Sequence, residues 1–340
     1  MTHELRDLTI IGAGPTGLYA LFYAGMRGIS AQVIDALPQV GGQLAALYPE
    51  KMIFDVAGFP HVLAKTLVGG LHDQAAQFGS PLHLNRTVIG LDEVDGHFVL
   101  RTTDGDFPTR SVVIAGGIGA FAPRKLPQVA THAWYGRGID DSVQDPARYT
   151  NKRVVIVGGG DSAFDWAQQL RPRALHVTLV HRSDRFRAHQ ATVDDVLAAA
   201  ARGDATEVVT FHEIHDVVSS GGEVLTGVVL RGTKDKVLRE IQADVVLPML
   251  GFVSDIGALA QWGLNCTKDE LCVTPQMETG RAGIYAAGDI TTYPGKLKLI
   301  SVGFGEAATA VNQAVHWIYP EKKVNPGHSS NLAIFGQTAD

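Results

Sequence analysis

The glycines of Gly12-Ala-Gly-Pro-Thr-Gly17 have the spacing that brings bare backbone amides up against an anion. The motif follows the apolar run Leu8-Thr-Ile-Ile11 and precedes a helical pattern from Leu18 to about Arg27, which stops at Gly28. Ala31-Gln-Val-Ile34 then reads as a second strand with Asp35 at its end. Strand, G-x-G-x-x-G, helix, strand and acid, in that order, form a dinucleotide fingerprint. In it Gly12 allows the sharp turn, Gly14 lets the backbone reach a pyrophosphate, and Gly17 lets the helix lie close on the strand. Asp35, 23 residues after Gly12, stands where a carboxylate accepts hydrogen bonds from a ribose diol.

The unit recurs at mid-chain with different chemistry at its far end. Arg153-Val-Val-Ile-Val157 runs into Gly158-Gly-Gly-Asp-Ser-Ala163, a helix follows to near Pro172, and Leu175–Val180 is the next strand. Gly158, Gly160 and Ala163 take the three glycine places, with Asp161 and Ser162 between them. Where the first copy has Asp35, this one has His181-Arg182, then Arg185 and Arg187. Guanidinium groups pair bidentately with a 2′-phosphate that a carboxylate would repel. The first site therefore suits the plain adenosine ribose of FAD, and the second suits NADPH. The competing reading is a pair of structural units whose glycines serve packing alone; it has no use for the opposite charges.

Behind these loops the sequence implies an α/β protein. A chain of 340 residues accommodates two domains. With 45% hydrophobic and 19% charged residues and no low-complexity tract, it is expected to be globular. Many of its 38 glycines lie inside apolar segments, which points to tight turns and close approach to ligands. A net charge of −6 argues against general nucleic-acid binding. Cys266 and Cys272 are the only cysteines, so there is no disulfide framework and the chain suits a reducing cytoplasm. Leu8–Met26 is apolar enough to suggest a signal peptide or membrane span, but it holds four glycines and a proline and lacks a basic n-region. No membrane partner is expected.

Two later segments fit a flavin without requiring one. Gly283-Ile-Tyr-Ala-Ala-Gly-Asp289 is a strand closing on a carboxylate that could bond a ribityl hydroxyl, and it equally describes an ordinary strand-end turn. Gly303-Phe-Gly-Glu-Ala307 reads as the opening of an apolar helix to about Ile318. A helix N-terminus aimed at the flavin would stabilise negative charge, and Glu306 would also favour a first turn simply as a capping-region acid. His212 and His215 have no further ligand set and are assigned no metal.

Gly12-Ala-Gly-Pro-Thr-Gly17, Gly41-Gly-Gln-Leu44, Gly158-Gly-Gly-Asp-Ser-Ala163, His181-Arg182…Phe186-Arg187-Ala188 and Gly288-Asp289 together resemble the low-molecular-weight thioredoxin reductase fold from about Leu8 to the C-terminus. The resemblance implies two Rossmann-like, three-layer ββα domains, with the NADPH domain inserted into a split FAD domain. The boundaries expected here are 1–118 with 252–340 for FAD, including a C-terminal extension from about 320, and 119–251 for NADPH. Thioredoxin reductases of this type carry Cys-x-x-Cys shortly before the second glycine motif. Between Phe121 and Gly158 this chain has no cysteine. Cys266 and Cys272 are read as buried or incidental thiols, so electrons must leave from the flavin itself.

That departure points to bacterial ferredoxin–NADP+ reductases built on the same fold. Gly41-Gly-Gln-Leu-Ala-Ala-Leu-Tyr-Pro-Glu-Lys51, Asp55-Val-Ala-Gly-Phe-Pro60, Phe121-Ala-Pro-Arg-Lys125, Gly295-Lys-Leu-Lys298 and Pro326-Gly-His-Ser-Ser330 are similar to theirs. The resemblance implies FAD contacts at Thr16, Asp35, Gly42, Gln43, Tyr48, Val88, Phe121, Asp289 and Ser330. Tyr48 would stack on one flavin face and His328 would cover the other, in its own subunit or in the partner of a homodimer. Hydride transfer needs alignment more than a protein acid or base, so no dedicated catalytic side chain is expected. The carrier would be an acidic ferredoxin or flavodoxin, for which Lys296, Lys298, Lys322, Lys323, Arg124 and Lys125 are docking candidates and also ordinary surface charges. Other acceptors, a quinone, oxygen or a separate disulfide protein, fit the same motifs. A non-catalytic redox sensor using NADPH as a switch fits them as well.

Overall fold

The computed structural model describes residues 3–47, 49–325 and 329, with the side chains of 120–122 and 252–255 left aside. The chain forms two compact units, 1–121 with 254–340 and 122–253.

In the first unit Arg6–Ile11 is a central strand because it is apolar on both faces: Leu8, Thr9 and Ile10 are all buried. It pairs in parallel with Ala31–Ile34 on one side, Leu8 opposite Ala31 and Ile10 opposite Val33. On the other side it pairs with the second half of Gly105–Ile114, Ile10 opposite Val113. Leu82–His83 and Ile284–Ala286 extend the parallel sheet at its two edges. The first half of Gly105–Ile114 turns to a different task and pairs antiparallel with His97–Thr102, which in turn pairs with Val88–Val94. One long strand thus joins a parallel sheet to a three-stranded meander. Helices Pro15–Met26, Ala64–Ala76 and Ile300–Ile318 cover one face of the sheet through Leu18, Leu21, Leu67, Leu71, Val311 and Ala314. Phe98, Leu100, Phe107, Ile114 and Trp262 fill the other side.

The second unit repeats the plan. Thr206–Thr210, His176–His181, Arg153–Val157 and Val245–Pro248 form a parallel sheet in that order. His212–Ser220, Val224–Gly232 and Leu238–Gln242 form its antiparallel meander. Helices Asp161–Leu170 and Gln190–Arg202 pack on the sheet through Phe164, Trp166, Val193 and Val196. The α/β class and the repeated Rossmann-like unit expected from the sequence are therefore both observed.

One expectation is corrected. The last helix does not open at Gly303 but runs Ile300–Ile318, so Glu306 lies in its second turn and is buried. Gly303 is glycine for a packing reason instead: an added Cβ would stand 2.5 Å from Thr16 Oγ1.

The joint between the first strand and the first helix is the tightest point of the unit. A Cβ on Gly17 would overlap the Gly12 carbonyl oxygen, a backbone atom that cannot rotate away. Gly28, at φ +63° past the end of the same helix, has open space around it. Gly17→Val is therefore expected to lose about 3 kcal/mol or more of stability, and Gly28→Ala only about 1 kcal/mol for its left-handed backbone. Urea unfolding of both variants checks the contrast, and equal losses would contradict it.

Candidate functional site

Helix Pro15–Met26 starts at Gly14 with no side-chain cap, and a proline fills its first position. Its first amides are left to accept an anion as partner, with the positive end of the helix dipole behind them. Gly42 approaches this loop so closely that a Cβ on it would lie 3.0 Å from Gly14 Cα. The loop is thus a groove walled by backbone, the shape a pyrophosphate needs and any side chain would fill.

Asp35 borders the groove. Its Oδ2 accepts from Ala13 N at 2.5 Å and its Oδ1 from Leu37 N at 2.7 Å. Burial pushes its carboxyl up, while these two amides pull it down. Each oxygen keeps a further acceptor position, so the carboxylate orders the loop and can still receive ribose hydroxyls. Thr16 is enclosed by glycines: a Cβ on Gly288 would lie 2.9 Å from its Oγ1, and Gly303 closes in from the last helix. Gln43 begins a short helix, Gln43–Leu47, with its Nε2 beside Gly117. Val88 opens a meander strand opposite Thr102 and packs, half-buried, on the core. Phe121 falls in the strand Ala120–Pro123. Tyr48, His328 and Ser330 lie outside the described residues, and so does the side chain of Phe121.

Asp289 follows the edge strand Ile284–Ala286. It is partly buried and makes no hydrogen bond or ion pair among the described residues. Burial pushes its carboxyl up, Lys296 and Lys298 pull it down, and Glu306 pushes it up again. An acid placed this way is ready to accept a ligand hydroxyl.

Beside it lies a cluster that sequence reasoning missed. Glu306 Oε2 accepts from Gly288 N at 2.7 Å, and Oε1 accepts from the Tyr293 hydroxyl at 2.6 Å. Lys296 Nζ donates to both oxygens, at 2.5 and 2.7 Å, and both charged side chains are only 5% exposed. Burial and the hydrogen bond to Glu306 push the Tyr293 hydroxyl up to about 12. Lys296 is therefore not a docking lysine; its charge is consumed internally. Lys298 is exposed but pairs with Glu270 at 2.5 Å.

In the second unit, helix Asp161–Leu170 starts at Gly160, again without a side-chain cap. A Cβ on Gly158 would lie 2.5 Å from Met249 O, and Ala163 is fully buried beneath the loop. Asp161 is engaged by the protein itself, its Oδ1 accepting from His189 N at 2.8 Å. Ser162 is half-buried in the first turn. At the sugar end the His181 ring lies against Gly159, and its Nε2 faces Arg185 O at 3.2 Å. Burial holds its imidazole below the usual value, and the charges of Arg182 and Arg187 lower it further. Arg182, Arg185 and Arg187 are exposed and make no ion pair among the described residues. Three cations without protein anions among the described residues, near the uncapped start of a helix, have the chemistry that pairs with a phosphate.

Cys266 and Cys272 lie on a short hairpin, Cys266–Thr267 with Glu270–Cys272, in the first unit. Cys266 is exposed rather than buried, and burial of its sulfur together with nearby Cys272 still pushes its thiol up. A thiol raised in this way is a weak nucleophile. No cluster of metal ligands occurs among the described residues, and no helix among them is long and apolar enough to cross a membrane.

Comparison with known proteins identifies the family. Residues 6–314 match the family model described as pyridine nucleotide-disulphide oxidoreductase. A ferredoxin–NADP reductase of Nocardioides sp. is 50% identical over 329 residues, covering 95% of this chain and 96% of that protein. One from Thermus thermophilus is 44% identical, covering 99% and 100%. Thioredoxin reductase of Lactococcus lactis shares the fold with a TM-score of 0.79 at 22% identity, over 92% of this chain and 99% of that one. The groove walled by glycine backbone, the open carboxylate of Asp289 and the arginine cluster fit FAD and NADP(H), the cofactors of this family. The chain belongs to the pyridine nucleotide-disulphide oxidoreductase family, among the ferredoxin–NADP reductases that share the thioredoxin reductase fold.

Proposed function

We propose that this chain is an FAD-dependent ferredoxin–NADP+ oxidoreductase in which 1–121 with 254–340 holds FAD and 122–253 holds NADP(H). One observation carries the choice of acceptor: the unit 122–253 contains no cysteine, and the only two thiols of the chain, Cys266 and Cys272, stand on the 266–272 hairpin outside it. The identity of 44–50% to proteins named ferredoxin–NADP reductase supports the same reading. FAD, when bound, would supply hydride exchange with the nicotinamide and one-electron exchange with a carrier.

The residues of the chain bind and orient. The amides after Gly14 receive the FAD pyrophosphate, Asp35 its adenosine ribose and Asp289 a ribityl hydroxyl. The amides after Gly160 receive the NADP(H) pyrophosphate, with Ser162 in the same turn, and Arg182 and Arg187 grip the 2′-phosphate. Asp161 supports this site indirectly by fixing the start of the helix Gln190–Arg202. Flavodoxin is a second carrier of suitable charge, and Arg124, Lys125, Lys298, Lys322 and Lys323 remain docking candidates once Lys296 is removed from the set, Lys298 with its charge shared with Glu270. The similarity to ferredoxin–NADP+ reductases of this fold supports a homodimer and a flavin flanked by Tyr48 and His328.

Anaerobic stopped-flow mixing tests the reading. NADPH is expected to bleach the flavin, and ferredoxin, but not thioredoxin, to restore its colour. The Cys266→Ser/Cys272→Ser variant is expected to behave as the wild type; loss of turnover in a folded, FAD-loaded variant would restore a dithiol route. Arg182→Gln/Arg187→Gln is expected to weaken NADPH binding by roughly 100-fold, the loss of charge-assisted bonds to one phosphate, with NADH little affected. Equal losses for both nucleotides would contradict the 2′-phosphate assignment.

A further inference from the structure

The buried cluster at the start of the last helix has a geometry that packing alone does not call for. Glu306 is fully engaged: one oxygen by the Gly288 amide and Lys296, the other by the Tyr293 hydroxyl and Lys296. All three donors come from the segment 288–296, so one carboxylate ties the whole turn after the edge strand to the helix Ile300–Ile318. Gly288 is also fixed from the opposite direction, where a Cβ on it would stand 2.9 Å from Thr16 Oγ1. The residue carried by this doubly held turn is Asp289, the one part-buried carboxylate here without a hydrogen-bond partner among the described residues. Lys296, and with it Lys298, lies close enough to Asp289 to favour its ionised form, and Glu306 to oppose it.

An ion pair this deeply buried adds little net stability over an apolar pair of similar size, because both charges lose their water. What it does supply is a fixed position and a local charge balance. Without the Lys296 ammonium, Lys298 alone, itself paired with Glu270, would be left to offset Asp289 and Glu306. Without the carboxylate, the Gly288 amide and the Tyr293 hydroxyl would lose their acceptor and the turn its anchor.

We propose that Lys296 and Glu306 are a positioning pair that sets the place and charge of Asp289 for binding the FAD ribityl chain. The inference rests on Asp289 being an FAD contact, so the test separates the two. Holoenzymes of the wild type, Asp289→Asn, Lys296→Met, Glu306→Gln, the double variant Lys296→Met/Glu306→Gln, and Lys296→Arg are diluted, and released FAD is followed by its fluorescence. The visible circular dichroism of the bound flavin and the thermal midpoint are recorded alongside.

Asp289→Asn, Lys296→Met and Glu306→Gln are each expected to weaken FAD retention by about tenfold, the scale of one charge-assisted hydrogen bond. The two pair variants should also change the visible dichroism, which reports the flavin's surroundings. Lys296→Arg should stay near the wild type, and the double variant should hold FAD better than either single one but less well than the wild type. If Asp289→Asn releases FAD faster while both single pair variants keep wild-type retention and dichroism at a lowered thermal midpoint, the pair is structural only and the proposal falls. If Asp289→Asn itself retains FAD unchanged, the reading of Asp289 falls first and takes the proposal with it. Should the single variants fail to fold, the double variant decides: wild-type retention in it would overturn the proposal.

Discussion

A helix can begin directly at the end of a buried parallel strand only where no side chain stands in the joint. At Gly12 and Gly17 that condition is met, with the Gly17 α-carbon against the Gly12 carbonyl and the turn at Gly12 pressed on Ala115. Everything at the first nucleotide site follows from this closeness. The helix start is brought to the sheet edge, its uncapped amides face outward together, and Asp35, leaving the neighbouring strand, can reach back to Ala13. The second unit meets a looser form of this condition, with the Ala163 methyl in the place of Gly17, Met249 beside Gly158 and the His181 ring beside Gly159.

The parts of this plan that were legible in the sequence are those in which one residue type suffices. Leu8–Ile11 and Arg153–Val157 read as buried strands because continuous β-branched and apolar residues have little other use. The glycine loops were equally plain, as was the exchange of Asp35 for arginines. The meanders were not, since their strands alternate weakly and are defined by pairing between distant segments. The last helix was misplaced by three residues for a related reason. Gly303 looks like a helix start in one dimension, whereas in three it is a close contact with Thr16. Lys296 misled in the same way: a lysine between glycine and leucine suggests surface, and its buried acid lies ten residues on, across a turn.

On the proposed reading, the two units accommodate opposite sugar chemistry in one backbone frame. The frame supplies amides for a pyrophosphate in either case, and selectivity is left to the residues just past the second strand. In the first unit that place holds a carboxylate whose oxygens are shared with the protein's own amides, which makes it rigid. In the second it holds guanidinium groups that pair with no protein anion among the described residues. Rigid acceptance suits a cofactor that stays bound, and exposed donors suit one that comes and goes.

The unshared arginines have a consequence for how the protein meets its solvent. Arg182, Arg185 and Arg187 concentrate positive charge at one edge of a chain whose net charge is −6. Small oxyanions will gather there whether or not a nucleotide is present, because a sulfate or phosphate offers the same oxygen geometry as a ribose phosphate. Such ions compete by occupancy and not merely by screening, which at 0.15 M ionic strength already has a reach of about 8 Å. The apparent grip on the nucleotide is thus partly a property of the buffer: phosphate should weaken it more than chloride at equal ionic strength.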